Sequence, residues 1–291
     1  MEGAAPPITT SATSVVLKDQ LFDHGFLPEA PPALQAGLEQ FSTQIWADIQ
    51  SSLPPTDAAQ FRQMAGAEKD ECLIGLPLEY EHPENFFRFH HAMPTNAETV
   101  QKVAEALGER ARLVVTHHPL TELHGNIDDV QDVIARSSGR ISALQRDPEG
   151  PRASTDLTMQ MVQHCDAMII GNSKSWSLCA AMEKPVLRLS AAPSAPWINS
   201  YPSLSQMLDD LEEGKAVHPD GEEAKLWFAH HLLNSVFDPA DPSLTSNDIL
   251  ERAMEPINPS RWAAAFETYR TNNPAASDQA QVWPEKEVHC A

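Results

Sequence analysis

The stretch QHCDAMIIGNSKSWSLCAAMEKPVLRLS, residues 163–190, decides the fold. Its DAMIIGN portion (166–172) is a short apolar run of strand composition, KSWSLCAAME (174–183) has the make-up of a helix, and KPVLRLS resumes an apolar run. Strand, helix and strand in so few residues mark a βαβ unit, whose two strands lie parallel in one sheet. The same alternation extends upstream. Ser154 can cap a helix presenting Leu157, Met161 and Cys165, and RISALQ (140–145) reads as a strand before it. A helix from Asn126 carries Asp128 and Asp129 at its positive end, and ARLVVT (111–116) is another strand. Thr95-Asn96-Ala97-Glu98 supplies a capping box for a helix with Val100, Val103, Ala104 and Leu107 on its apolar face, ended by Gly108. CLIGLPLE (72–79) is the first strand of the series. Five strands alternating with helices predict an α/β fold with a mostly parallel sheet.

Outside this body the pattern is thinner. Residues 1–66 hold one helix, Leu34 to Ile49, between the proline-rich runs PEAPPALQ (28–35) and SSLPPTD (51–57), and read as a short N-terminal region. Beyond Pro202 the chain reads as helices only, at about 203–214, 222–235, 246–254 and from an Asn258 cap with Pro259 at the first turn. The expected organisation is therefore 1–66, an α/β domain over 67–240, C-terminal helices over 241–270 and a tail over 271–291.

With 20 basic against 41 acidic residues the net charge is −21, a field that repels nucleic acid and anionic membrane surfaces. Cys72, Cys165, Cys179 and Cys290 form no CxxC pair, and no apolar run reaches the length of a membrane span. The first residues carry neither a basic leader nor a signal-like apolar run, so the expected setting is cytoplasmic.

In open parallel sheets ligands bind beyond the carboxyl ends of the strands. Those positions here are Thr116-His117-His118-Pro119, Gly171-Asn172-Ser173-Lys174-Ser175 and Ser190-Ala191-Ala192-Pro193. An imidazole at a strand end can donate to a phosphate oxygen while the following proline fixes the backbone, which singles out His118. The Asn172-Ser173-Lys174-Ser175 segment opens a helix, where unpaired N–H groups and two hydroxyls favour an anion; Ser173 serves equally well as a plain N-cap.

LVVTHHP followed by QHCDAMIIGNSKSWSLCAAMEKPVLRLS resembles the C-terminal, nucleotide-binding half of GT-B-fold glycosyltransferases of capsular polysaccharide biosynthesis, of the Kdo-transferase and, more distantly, sialyltransferase types. LFDHGFLPE (21–29) is similar to the acidic-x-Gly-Phe/Trp-Leu element near the start of such proteins, and CLIGLPLEYEHPENF to their next strand. The resemblance implies a Rossmann-like parallel sheet of GT-B type beside a reduced N-terminal region and a helical C-terminal part. It implies a metal-independent transferase in which His118, Asn172, Ser173 and Ser175 bind a nucleotide-sugar donor and Asp23 deprotonates a glycan or glycolipid acceptor. No separate cofactor is implied, since the nucleotide-sugar is itself the substrate. Thr116, His117, Trp176 and Leu178 depart from the family pattern, the last standing where many relatives have a glutamate for the ribose. A CMP-linked acidic sugar, held in the sialyltransferase manner, suits that departure. The short N-terminal region leaves three further readings: a partner glycosyltransferase completes the acceptor site, the domain binds a nucleotide-sugar or partner without catalysis, or the protein is a GT-B-related epimerase.

The pairs His90-His91 and His117-His118 follow the first two strands, and Glu79, His124 or Asp128 lie near enough in sequence to consider a metal; no HExxH-type spacing supports one. The sequence has no second glycine for a Gly-x-Ser-x-Gly elbow after Ser173, no Walker loop and no GxGxxG.

Overall fold

A computed structural model describes residues 15–16, 25, 27–52, 57–83, 85, 91–118, 120–121, 127–144, 155–173, 175–190, 194–237, 244–255 and 257–272. Asp23, Pro119, Lys174 and Cys290, each singled out in the sequence, lie outside these residues.

The chain divides into two compact units, one of residues 19–26 and 53–224, the other of residues 1–18, 27–52 and 225–291. The first is the α/β unit. Its elements run α2 (Ala58–Met64), β2 (Leu73–Pro77), α3 (Asn96–Leu107), β3 (Arg112–Thr116), α4 (Asp128–Arg136), β4 (Ile141–Ala143), α5 (Thr155–His164), β5 (Ala167–Ile170), α6 (Trp176–Ala181), β6 (Val186–Arg188), a 3-10 turn at Pro196–Ile198 and α7 (Leu204–Glu212). The elements β1 (Val15–Val16) and α1 (Pro32–Ser52) precede them in the chain.

The five strands β4-β3-β2-β5-β6 form one sheet in that order, and every pair in it is parallel. This is the Rossmann-like α/β architecture. Gly75 of β2 lies opposite Val114 of β3 on one side and Met168 of β5 on the other, so β2 is central. One face of the sheet, with Ile74, Leu76, Leu113, Val115, Ile169 and Leu187, packs on Val100, Val103 and Leu107 of α3 and Met207 and Leu208 of α7. On the other side α5 packs on β2 and β3 with α2 against it, and Phe61 and Met161 are fully buried. Strands buried on both faces read as continuous apolar runs, and all five residues of β2 are buried.

The caps follow local chemistry. Thr95 Oγ1 accepts the Glu98 N–H at 3.1 Å to start α3, while the Glu98 carboxylate turns to Lys102 Nζ at 2.6 Å. The helix α2, which the sequence reading left unassigned, is started by a full capping box between Asp57 and Gln60.

The second unit holds α1, the part of α8 (Gly221–Ser235) from Lys225 on, β7 (Val236–Phe237), α9 (Ser246–Met254) and α10 (Pro259–Asn272), with β1 antiparallel to β7. Phe41 of α1 meets Phe266 of α10 at 5.0 Å between ring centroids, and Trp46 meets Phe228 of α8 at 5.4 Å. Asn234 Oδ1 accepts from Arg261 Nη2 at 2.7 Å and from Trp262 Nε1 at 3.2 Å, satisfying two donors brought by α10.

Candidate functional site

From β2 the chain winds outward through β3 to β4, then returns along α5 to β5 on the other side of β2 and continues outward to β6. The direction reverses between β2 and β5, and a crevice opens beyond their carboxyl ends at such a reversal. A small cleft of about 30 Å³, open at its mouth, lies there, lined by Leu76, Leu78, Glu79, His91, Thr95, Asn96, Thr99, Asn172 and Leu189 among others.

Glu79 is the group at its centre. Leu78 prolongs β2 by donating its N–H to the Thr116 carbonyl at 2.9 Å, and Glu79 follows. Its backbone is held from both sides by Asn96, the first residue of α3: the Glu79 N–H donates to Asn96 Oδ1 at 3.2 Å, and Asn96 Nδ2 donates to the Glu79 carbonyl at 2.8 Å. The side chain reaches across to the exit of β5, where Glu79 Oε1 accepts the Asn172 N–H and the Ser173 N–H also points at the carboxylate. Gly171 makes this approach possible, because a Cβ there would overlap Glu79 Oε1. Glu79 Oε2 lies 3.8 Å from His91 Nε2, with 21% of the glutamate side chain and 11% of the histidine exposed. Burial pushes the Glu79 carboxyl up to about 7, against the opposing pull of the two N–H groups and of the Arg188 charge. The ring of polar groups closes through Ser190, whose hydroxyl donates to Asn172 Oδ1 and whose backbone bridges to His91.

A carboxyl of this kind can hold or release a proton near neutrality. The His91–Glu79 approach matches the proximity considered for a metal, yet among the described residues no group of three or more His, Cys, Asp or Glu side chains is arranged to hold a metal ion.

Of the residues singled out for phosphate, Asn172 lines the cleft, while His118, Ser173 and Ser175 stand outside its lining. Ser173 and Ser175 share a hydrogen bond at 2.8 Å between their hydroxyls, and Ser175, buried, is the residue before the six-residue α6. Ser175 makes no side-chain cap bond; its N–H lies 3.4 Å from Ser173 Oγ. Asn172 is already engaged with Glu79 and Ser190. His118 stands at the exit of β3, one strand from β2 and two from β5. The neighbouring-strand spacing puts the β3 and β5 exits about 10 Å apart. His118 Nδ1 accepts the Leu120 N–H at 3.2 Å, which assigns the proton of the neutral ring to Nε2, and the ring lies 5.4 Å from that of Tyr80. The β2 exit thus separates the two predicted loops on one rim, with Glu79 turned to one and Tyr80 to the other.

The residues that depart from the family pattern have structural partners. Thr116 is buried with its hydroxyl 3.4 Å from that of Thr158. His117 is buried against Gln131 Nε2 at 3.1 Å, and burial lowers its pKa. Trp176 is fully buried, stacks on Trp197 at 5.3 Å and has the Arg188 guanidinium 5.3 Å from its ring centroid. Trp197 in turn donates its Nε1–H to the carbonyl of Gly25 at 2.9 Å. Gly25 has φ +72°, and a Cβ there would stand 2.7 Å from both Ala195 Cβ and the Trp197 ring. Gly25 is therefore held beside Trp197, which stacks on Trp176 at the start of α6.

Asn96 and Arg188 escaped the sequence reading as site residues, and Glu79 entered it only as a neighbour of a possible metal site. Their one signal is position: a single carboxylate ends the apolar run LIGLPLE, and a single arginine sits inside VLRL.

At the opposite end of the sheet a second groove is lined by Arg62, Asp70, Glu71, Cys72, Arg110, Asp166 and Glu212. Its charges are paired: Arg110 with Asp209 and Glu212, each at 2.6 Å, and Arg62 with Asp166 at 3.9 Å. Burial raises the Cys72 thiol to about 11, which leaves it a poor nucleophile. Among the described residues no helix is long and apolar enough to cross a membrane.

No protein-family model matches the chain, and no curated protein matches it at a significant level. The likeness to capsular-polysaccharide glycosyltransferases rests on the quoted motifs alone.

Proposed function

We propose that the crevice between β2 and β5 binds the phosphate and nucleotide of a nucleotide-sugar, and that the protein is a glycosyltransferase-like component of surface polysaccharide assembly. A CMP-linked acidic sugar is the donor that best suits a site with Leu178 in place of a ribose-binding glutamate. The observation that carries the reading is the topology: the reversal of strand order falls between β2 and β5, and the loops carrying His118 and Asn172-Ser173-Ser175 flank it on one rim. On this reading His118 Nε2 is the donor from the β3 side, and the Ser173 and Ser175 hydroxyls are the donors from the β5 side. Stabilising charge on the departing nucleotide phosphate is work that fixed donors of this type perform without a metal. Asp23 is the proposed base for the acceptor hydroxyl of a glycan or glycolipid.

Calorimetric titration with CMP, UDP and GDP tests the reading. One of the three is expected to bind, and His118→Ala to weaken it by about tenfold, the worth of one hydrogen bond to a charged group. Absence of binding by all three, or an unchanged titration in His118→Ala, overturns the donor site.

A second reading, a binding module without catalysis, is favoured by one observation: the N–H groups of Asn172 and Ser173 are engaged by the protein's own Glu79. Nucleotide binding without hydrolysis or transfer of supplied CMP- or UDP-sugar decides for the module.

A further inference from the structure

Glu79 has no part in the assignment above, yet it occupies the middle of the crevice. Its main chain is fixed by two hydrogen bonds to Asn96, and its side chain spans to the Asn172 N–H. Glu79 lines the cleft together with His91, Asn96 and Asn172, so an anion that enters this cleft meets the carboxylate. Two anions in one poorly hydrated cleft repel, and the protein group is the one that can be neutralised.

Resting on the nucleotide-sugar reading, we propose that Glu79 is the proton partner of the crevice's ligand: a phosphate-bearing ligand enters as the Glu79 carboxyl takes up a proton, which it then donates in a hydrogen bond to a phosphate oxygen. The groups facing Glu79 fit that exchange. His91, from the segment before α3, is 3.8 Å from Oε2; Arg188, at the end of β6, adds positive charge; Asn172 and Ser173 in the loop after β5 offer N–H donors; and α3 offers the neutral Asn96. None of them neutralises the carboxylate fully, since its pKa stands at about 7 in the unliganded protein. A second anion raises it further, so neutral pH is where the exchange registers. Ligands that are already anionic at every pH of interest then bind better in mild acid. The preference is for phosphodiesters, which leave the donating to the protein, over phosphomonoesters carrying an additional charge.

The experiment is titration calorimetry of the full chain with a CMP-sugar and a UDP-sugar, diesters with no proton of their own to gain near neutrality, in buffers of different ionisation enthalpy. For the wild-type protein the expected uptake is about one proton per ligand at pH 8 and about half at pH 7, with affinity about tenfold lower at pH 8 than at pH 6. Glu79→Gln, which keeps the acceptor for the Asn172 N–H, is expected to take up no proton at pH 8 and to bind equally at both pH values. Binding by the wild type at pH 8 without proton uptake overturns the proposal whether or not the variant folds. Binding with the same proton uptake in Glu79→Gln also overturns it, shifting the proton to His91 or His118 and leaving the ligand assignment intact. Failure of wild type and variant to bind either sugar nucleotide at any pH removes the ligand assignment and the proposal together.

Discussion

Glu79 feels two opposed influences, the loss of water around its carboxylate and the N–H groups and arginine charge that replace part of that water. Burial wins, and the consequence for stability has a definite sign. A carboxyl whose folded pKa is about 7, against 4.5 for the ordinary side chain, binds its proton more tightly folded than unfolded. Its protonated form therefore supports the fold fully below pH 4.5, and that support is lost as pH rises to 7, a change of about 3 kcal/mol in order of magnitude. Glu79→Gln is expected to leave the thermal midpoint nearly unchanged at pH 4.5 and to raise it relative to wild type at pH 8; equal effects at the two pH values contradict the assignment. In the sequence Glu79 is marked only as a carboxylate near the histidine pairs, not as a buried group spanning two strand exits. Its partner, Asn172, is 93 positions away, and a lone glutamate after a strand looks like any solvated loop residue until the sheet order is known. The positions of His118 and Ser173 at the exits of β3 and β5, by contrast, follow from the apolar runs before them.

Among elements, the exit of β5 is the most demanding. Gly171 is required there by contact, since any side chain would displace the Glu79 carboxylate from the Asn172 N–H. Gly171→Ala is expected to destabilise by about 1–3 kcal/mol in chemical denaturation, through overpacking and a lost charge-assisted hydrogen bond. The loss should shrink in the Glu79→Ala background, where the clashing group is gone. Gly25 makes a different demand, a left-handed backbone pressed against Trp197, and Gly25→Ala should lose about 2–4 kcal/mol. The main strands were legible from their apolar runs, because a parallel sheet covered on both faces needs nothing else from them. The helix α2 was not: with Phe61 its one buried large side chain, AAQFRQM has too little pattern to stand out beside a proline-rich run. Strand order was equally beyond reach, since it depends on which side of β2 the chain returns to after α5.

For the whole molecule, a net charge of −21 surrounds a crevice proposed to take an anion. The general field opposes approach, while on the proposed reading His118 and the Arg188 charge near Glu79 favour residence. Added salt screens the long-range repulsion more than the short contacts, so the association rate for a nucleotide is expected to rise, by about two- to tenfold, between 20 and 200 mM salt. Stopped-flow measurement checks this, and a rate falling with salt would mean that a local positive potential dominates the approach. The two-unit division has its own consequence for legibility. Chain order alone suggests a front region, a body and a tail, whereas the second unit draws on residues 1–18, 27–52 and 225–291 together.

The stacked indoles of Trp176 and Trp197 lie 5.3 Å apart beneath the Arg188 guanidinium, with the Gly25 carbonyl on the far indole. Two rigid chromophores so close couple their electronic transitions, and their near-ultraviolet circular dichroism then depends on how each is oriented. The protein thus carries an intrinsic optical gauge at the start of α6, able to report without any label a change in how the two indoles stack.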